Sequence, residues 1–339
     1  MPIKFYISGY NGERPDRASY RFRATIPLKS MRPEDGIISD VKQATKDDIV
    51  VLAKKSSPKD VFHLKSNNIK CVYDICDNKW KKYVSPSWIK RVIQPHNVIC
   101  ENVDGITTTS PAMRNLIMKH TGRNAIIIPD PVEAPRVEPK VRLKSRRYIN
   151  IFNFGNSKHF VKVDWDEFIQ GLFDTSVDQF VIHCMLNRSQ KYKEMYKHWV
   201  EKGRLVIHEY NFEKQYELMK DCDIVFLPIV CTSMTNLEDI RSKSPNRIMD
   251  AIYSGKPVIT NEGVDSWLPF KQYANFIGFA RAFDYGSTIT AFRELINTPK
   301  EETNEKIRQG QKYIDENHTP EVIGKQWIEL ENKLGRLGF

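Results

Sequence analysis

Short, continuously apolar runs recur along this chain with helix-like stretches between them, and that alternation restricts the fold more than any other property of the sequence. IKFYIS near the start, ending in a glycine-containing turn, IKCVYDICD, GITTTS and AIIIPDPV each read as a strand, and DIVVLAKK (48–55) as a buried one. Helix-like segments separate them: ASYRFRATIPLKSM, with an apolar stripe through Tyr20, Ile26 and Leu28 and an expected break near Pro27, then SPKDVFHLKSNN, SPSWIKRVIQPHNVICENV and PAMRNLIMKH. Strands joined through crossover helices lie parallel, so residues 1–135 predict a doubly wound sheet. Residues 136–147 are proline-punctuated, charged and without an apolar face, and read as a linker. A second series fills 148–320: YINIFNFGNSKH, DQFVIHCM, RLVIHEY, the helix QYELMKDC, then DIVFLPIV, PVIT and FIGFA. EVIGKQWIELENKLGRL has a helical period, and 321–339 is expected to pack back on the first domain.

Within the second series, SKSPNRIMDAIYSGKPVIT (242–260) carries the most chemistry. Ser244 suits a helix cap and Pro245 the first turn. Ile248, Ala251 and Ile252 share one apolar face, and Gly255 fits a left-handed stop before the strand Pro257–Thr260. A helix start offers unpaired N–H groups to a phosphate. Lys243 and Arg247 flank that start with positive charge, Asn246 lies between them, and Asp250, about a turn further in, is placed for a sugar hydroxyl. The ligand these residues predict is a nucleotide-sugar diphosphate; the structural alternative is an ordinary capped helix of an α/β domain.

With 339 residues, 40% of them hydrophobic and 11% aromatic, the chain can bury two cores, and no apolar run reaches the roughly 20 residues that span a bilayer. MPIKFYISGY opens as a strand and not as an export signal, and the six cysteines show neither C-x-x-C spacing nor a disulfide framework. Both features predict a cytoplasmic protein. A net charge of +10 attracts an acidic partner, for which a phosphorylated donor, a membrane surface and nucleic acid all qualify. Basic residues cluster in 140–147, 78–83 and 188–197, each of which also reads as a solvated face. Trp80 and Tyr83 beside Lys79, Lys81 and Lys82 suit a bilayer interface, so peripheral contact with the inner face of a membrane stays open.

The 242–260 segment resembles the donor-binding signature of GT-B glycosyltransferases, in which a Glu five residues before a Gly is followed by Lys/Val-Pro-Val-Ile. Asp250 stands at the Glu position, with Gly255, Pro257, Val258 and Ile259 in register, and Ser242 stands where many retaining members carry a second Glu. YRFRATIP, VYDICDNKW, VDGITTTSPAMRNLI, IIIPDPVE and CDIVFLPI resemble further family passages in the same order along the chain. The resemblance implies an α/β protein of GT-B architecture, two Rossmann-like doubly wound domains facing a central cleft. It implies a retaining transferase that uses a nucleotide-sugar, UDP- or GDP-linked, with no tightly bound cofactor and a glycan, lipid-linked or other acceptor. A sugar epimerase of the same fold, a nucleic-acid-associated protein and a DNA-modifying glycosyltransferase are the alternatives.

The resemblance also implies that the turn Gly155-Asn156-Ser157-Lys158 faces the donor phosphate, with Lys158 pairing the diphosphate as the glycosidic bond breaks. Asp74 and Asp77 end a first-domain strand, where a carboxylate fits an acceptor-orienting or basic role or a helix cap. Gly9, Gly12, Arg17 and Arg21 lie on or near the first loop and suit acceptor or phosphate. Two D-x-D matches, Asp164-Trp165-Asp166 and Asp221-Cys222-Asp223, hint at a metal, but the second sits in register with the non-metal signature, so no metal is expected. Among the histidines only His159, beside the phosphate turn, is a candidate.

Overall fold

A computed structural model of the chain describes residues 1–12, 17–54, 56–80, 85–141, 143, 148–155, 160, 163–173, 179–229, 238, 240–262, 265–277 and 285–336. Two compact units emerge: Met1–Glu133 with Arg241–Ser244 and Asp315–Phe339, and Ala134–Ile240 with Pro245–Ile314.

The first unit holds a parallel six-stranded sheet, order β2-β1-β3-β4-β5-β6, of β1 (Ile3–Tyr6), β2 (Gly36–Ile38), β3 (Ile49–Leu52), β4 (Lys70–Ile75), β5 (Gly105–Thr108) and β6 (Ile126–Ile127). Because successive strand side chains point to opposite faces, β3 feeds two cores at once. Val50 and Leu52 join Val61 and Leu64 of the Pro58–Ser66 helix, together with Ile99, Met113 and Ile117. Ile49 and Val51 join Ile3, Phe5, Tyr20 and Ala24 on the other face. That second face is finished by Ile323 and Trp327 of Pro320–Ile328 and by Leu330 and Leu334 beyond it. Trp327 meets Phe5 edge-on, ring centroids 5.0 Å apart. The return to this unit starts at Asp315, inside the Lys300–Asn317 helix, a few residues before the expected 321.

Helix starts follow their cap residues. Ser57 and Asp60 form a reciprocal capping box ahead of Pro58, and Ser110 and Thr319 accept from Met113 N and Val322 N just before Pro111 and Pro320. Pro27 does not break its helix. Residues 18–28 run through, with a wide π turn over Arg21–Thr25 that buries Arg21, Phe22, Arg23 and Ala24 in succession. A similar wide turn, Ile89–Ile93, lies within the helix over 86–102.

The second unit holds a parallel sheet of order β12-β11-β10-β7-β8-β9: β7 (Ile149–Phe154), β8 (Phe180–Leu186), β9 (Leu205–Glu209), β10 (Ile224–Leu227), β11 (Val258–Asn261) and β12 (Asn275–Ile277). Trp165, Phe168, Phe226 and Phe292 fill its core. Residues 136–147, expected as a linker, are partly laid against this unit. Val137 N donates to Tyr253 O, Gln311 Nε2 donates to Val137 O, and Val141 and Leu143 are buried. Gly255, at φ +73, has a second reason to be glycine here: a Cβ would stand 2.7 Å from Val137 O.

Candidate functional site

At the C-terminal end of β7 the chain turns at Gly155, whose φ is +136, and the helix Asn246–Tyr253 starts nearby. Arg247 on its first turn donates from Nη1 to Phe154 O at 3.1 Å, and a Cβ on Gly155 would fall 2.6 Å from that nitrogen. Glycine thus lets a guanidinium lie directly on the turn. Burial pushes the Arg247 guanidinium down to about 10, so it stays charged at neutral pH. Among the described residues no carboxylate is paired with it. Pro245, and not Ser244, holds the cap position, and its own side chain accepts no hydrogen bond there. Asn156, Ser157, Lys158 and His159 lie outside the described residues. Lys243 and Ser244 fall in the segment grouped with the first unit.

Asp250 is placed differently from the expectation. It is buried, its Oδ1 accepts from Ala134 N at 3.0 Å and its Oδ2 from the Tyr216 hydroxyl at 3.3 Å, so both oxygens serve the protein itself. On the same sheet edge is a residue that spacing gave no reason to select. Glu209 accepts from Arg188 N and Ser189 N, at 3.0 and 2.8 Å, and clamps Arg188 at φ +64, a backbone state few non-glycine residues adopt. The bonds from Ser189 hold the Glu209 carboxyl below its usual range.

In the first unit, Asp74 and Asp77 separate into two roles. Asp74 is buried and accepts from Arg23 Nη2 at 2.7 Å and Thr107 Oγ1 at 2.8 Å, while Arg23 also pairs with Asp130 at 3.1 Å and lies 5.0 Å over the Trp327 ring. Its carboxylate is committed to a core network. Asp77 is half-exposed just beyond β4 and pairs with Lys54, which follows β3. Burial pushes the Asp77 carboxyl up, but Lys54, helped by Lys243 and Lys79, pulls it below the ordinary carboxylate range.

Arg21, expected to meet ligand, is instead buried in a two-pronged pair with Glu133, Nε to Oε1 at 2.8 Å and Nη2 to Oε2 at 3.2 Å. Arg17 is exposed, and Gly9 and Gly12, at φ +72 and +90, have open space where a Cβ would go. Trp80 is no interfacial residue: it is buried and stacked on His120, while Tyr83, Lys81 and Lys82 lie outside the described residues. Both D-x-D matches do structural work. Asp164 accepts from the amides of Asp166 and Glu167, and Asp223 accepts from Asn150 N. Among the described residues no three of His, Cys, Asp and Glu gather as a metal site would require.

No family model matches the chain, and no curated protein matches it in sequence. Solved structures match its architecture. HepE from Anabaena, in complex with UDP-glucose, aligns with a TM-score of 0.68 and 12% identity over 98% of this chain and 100% of HepE. WaaG, a glycosyltransferase involved in lipopolysaccharide biosynthesis, aligns at 0.61 and 11% identity over 97% of this chain and 99% of WaaG. A mutant of TarM from S. aureus, in complex with fondaparinux, alpha-GlcNAc-glycerol and UDP, aligns at 0.59 and 13% identity over 84% of this chain. The chain spans only about half of TarM, 55% of its length. At such identities the likeness is one of architecture, and together with two parallel sheets it gives the conclusion that the chain has the GT-B fold.

Proposed function

We propose that this protein is a glycosyltransferase that moves a sugar from a UDP- or GDP-sugar to a glycan or related acceptor, with retention of configuration. The observation that carries the reading is the Arg247 guanidinium, desolvated, without a carboxylate partner among the described residues, and lying on Gly155 at the end of a parallel strand. Such a cation beside a helix start is suited to a diphosphate, whose charge rises as the glycosidic bond breaks. Asn156, Ser157 and Lys158, next in sequence, with Lys243 and Ser244 ahead of the helix and Asn246 at its start, complete the proposed donor set. HepE in complex with UDP-glucose and the TarM mutant in complex with UDP support a nucleotide-linked donor.

Asp77 is assigned to the acceptor. A carboxyl that Lys54 keeps well ionised is a weak proton acceptor, so its role is to orient and polarise the acceptor hydroxyl rather than to remove its proton outright. Asp250 is assigned to anchoring the Ala134 backbone and not to the donor ribose.

Thermal unfolding in the presence of UDP, GDP and their sugars tests the reading. A true donor at about a hundred times its Kd stabilises the fold by about 2.7 kcal/mol through mass action. Arg247→Gln should weaken nucleoside diphosphate binding at least about tenfold while leaving nucleoside binding nearly intact, since a charge-assisted contact is worth roughly 1.5–3 kcal/mol. No stabilisation by any nucleotide-sugar, or equal loss for nucleoside and diphosphate, would refute it.

A further inference from the structure

The helix over 86–102 begins with an exposed turn, and Ile93 is its first side chain to pack against the core. Every residue from Ser85 to Arg91 is exposed, and the first buried apolar side chain of the helix is Ile99. Trp88 is 36% exposed and Ile89 40%, with Lys90 and Arg91 directly after them and no acidic residue anywhere from 85 to 91. A helix end with so little buried side chain is marginal in water, and an indole beside an isoleucine there has nothing to gain from solvent.

We propose that this helix end is a peripheral docking site for an anionic lipid bilayer: Trp88 and Ile89 settle among the headgroups while Lys90 and Arg91 meet lipid phosphates. Amphipathic side chains of the tryptophan type favour that interface, and basic residues near an anionic leaflet add to binding. Charge sign decides between occupants. Two copies meeting tip to tip would bring Lys90 and Arg91 against their own counterparts, whereas a lipid phosphate surface complements them. The contact is superficial in kind, because among the described residues no helix is long and apolar enough to cross a membrane.

The test is co-sedimentation of the full chain with vesicles of phosphatidylcholine mixed with phosphatidylglycerol, and with vesicles of phosphatidylcholine alone. The chain should bind the mixed vesicles and largely ignore the neutral ones. Binding should fall at least about tenfold in Trp88→Ser/Ile89→Ser and in Lys90→Glu/Arg91→Glu. Melting temperatures should stay unchanged, since all four side chains are exposed. Met195→Ser, an exposed apolar residue of the second unit, should bind as the parent does. Absence of vesicle binding, or binding indifferent to Trp88 and Ile89, overturns the proposal. So does a dimer in gel filtration that Trp88→Ser/Ile89→Ser converts to monomer without any vesicle binding, which would give the tip to a second copy. Heparin binding that Lys90→Glu/Arg91→Glu abolishes, again without vesicle binding, would give it to a soluble polyanion and equally overturn the proposal.

Discussion

Gly155 and Arg247 constrain each other: the glycine supplies a backbone state at φ +136 and leaves room for the guanidinium that rests on it. Gly155→Ala would force both a strained backbone and a displaced Arg247, at a cost on the order of 1–3 kcal/mol. Calorimetry should show nucleoside diphosphate affinity falling about tenfold or more. Asp250→Ala should act elsewhere. It leaves the Ala134 amide and the Tyr216 hydroxyl without their acceptor, so the expected result is a loss of about 1–3 kcal/mol in denaturant unfolding. Residue types in the site were readable from sequence, since a basic residue at a helix start and a glycine after a strand advertise themselves. Partners were not. Arg21 meets Glu133 112 positions away and Arg247 meets Phe154 93 positions away, and only the tertiary fold decides which arginine pairs with a carboxylate and which rests on a carbonyl.

Elements were legible wherever burial is two-sided. IVVL and IVFL are apolar throughout because both faces of a central parallel strand are covered, and they appear as β3 and β10. The three-residue edge strand Gly36–Ile38 has too few positions to show a pattern. The Lys300–Asn317 helix stayed hidden because its buried stripe is Thr303, Ile307, Gly310, Gln311 and Ile314, mostly not apolar; Gln311 earns burial by bonding Val137 O and Tyr253 O. A pH prediction belongs to the 86–102 helix. Its His96 is buried beside Trp80 and accepts or donates one hydrogen bond with the Tyr73 hydroxyl at 2.9 Å. Burial, aided by Lys79, pushes it down to about 3. The unfolded chain takes up this proton near pH 6.5 and the folded chain does not, so stability is full above that value. It falls as pH drops from about 6.5 towards 3, on the order of 3 kcal/mol being lost by pH 4. His96→Gln should flatten this part of the stability profile measured by urea unfolding, and an unchanged slope would show that other groups set it.

At the scale of the molecule, the first unit is assembled from three separate pieces of chain, and its last piece supplies a core residue that is fully buried, Trp327. Trp327→Ala should therefore destabilise that unit by about 3–5 kcal/mol, read as an early-melting transition in calorimetry. The second unit, by contrast, is complete once Ile314 has been made. This layout inverts the usual order in which a nascent polypeptide matures. Between Glu133 and Asp315 a ribosome adding roughly 5–20 residues per second needs roughly 10–40 s. During that interval one face of the first sheet, with Ile3, Phe5, Ile49 and Val51, waits for Ile323 and Trp327 to emerge and cover it. Of the two units, the one begun first is thus the last to close, and until Ile323 and Trp327 emerge it is a natural client for chaperones.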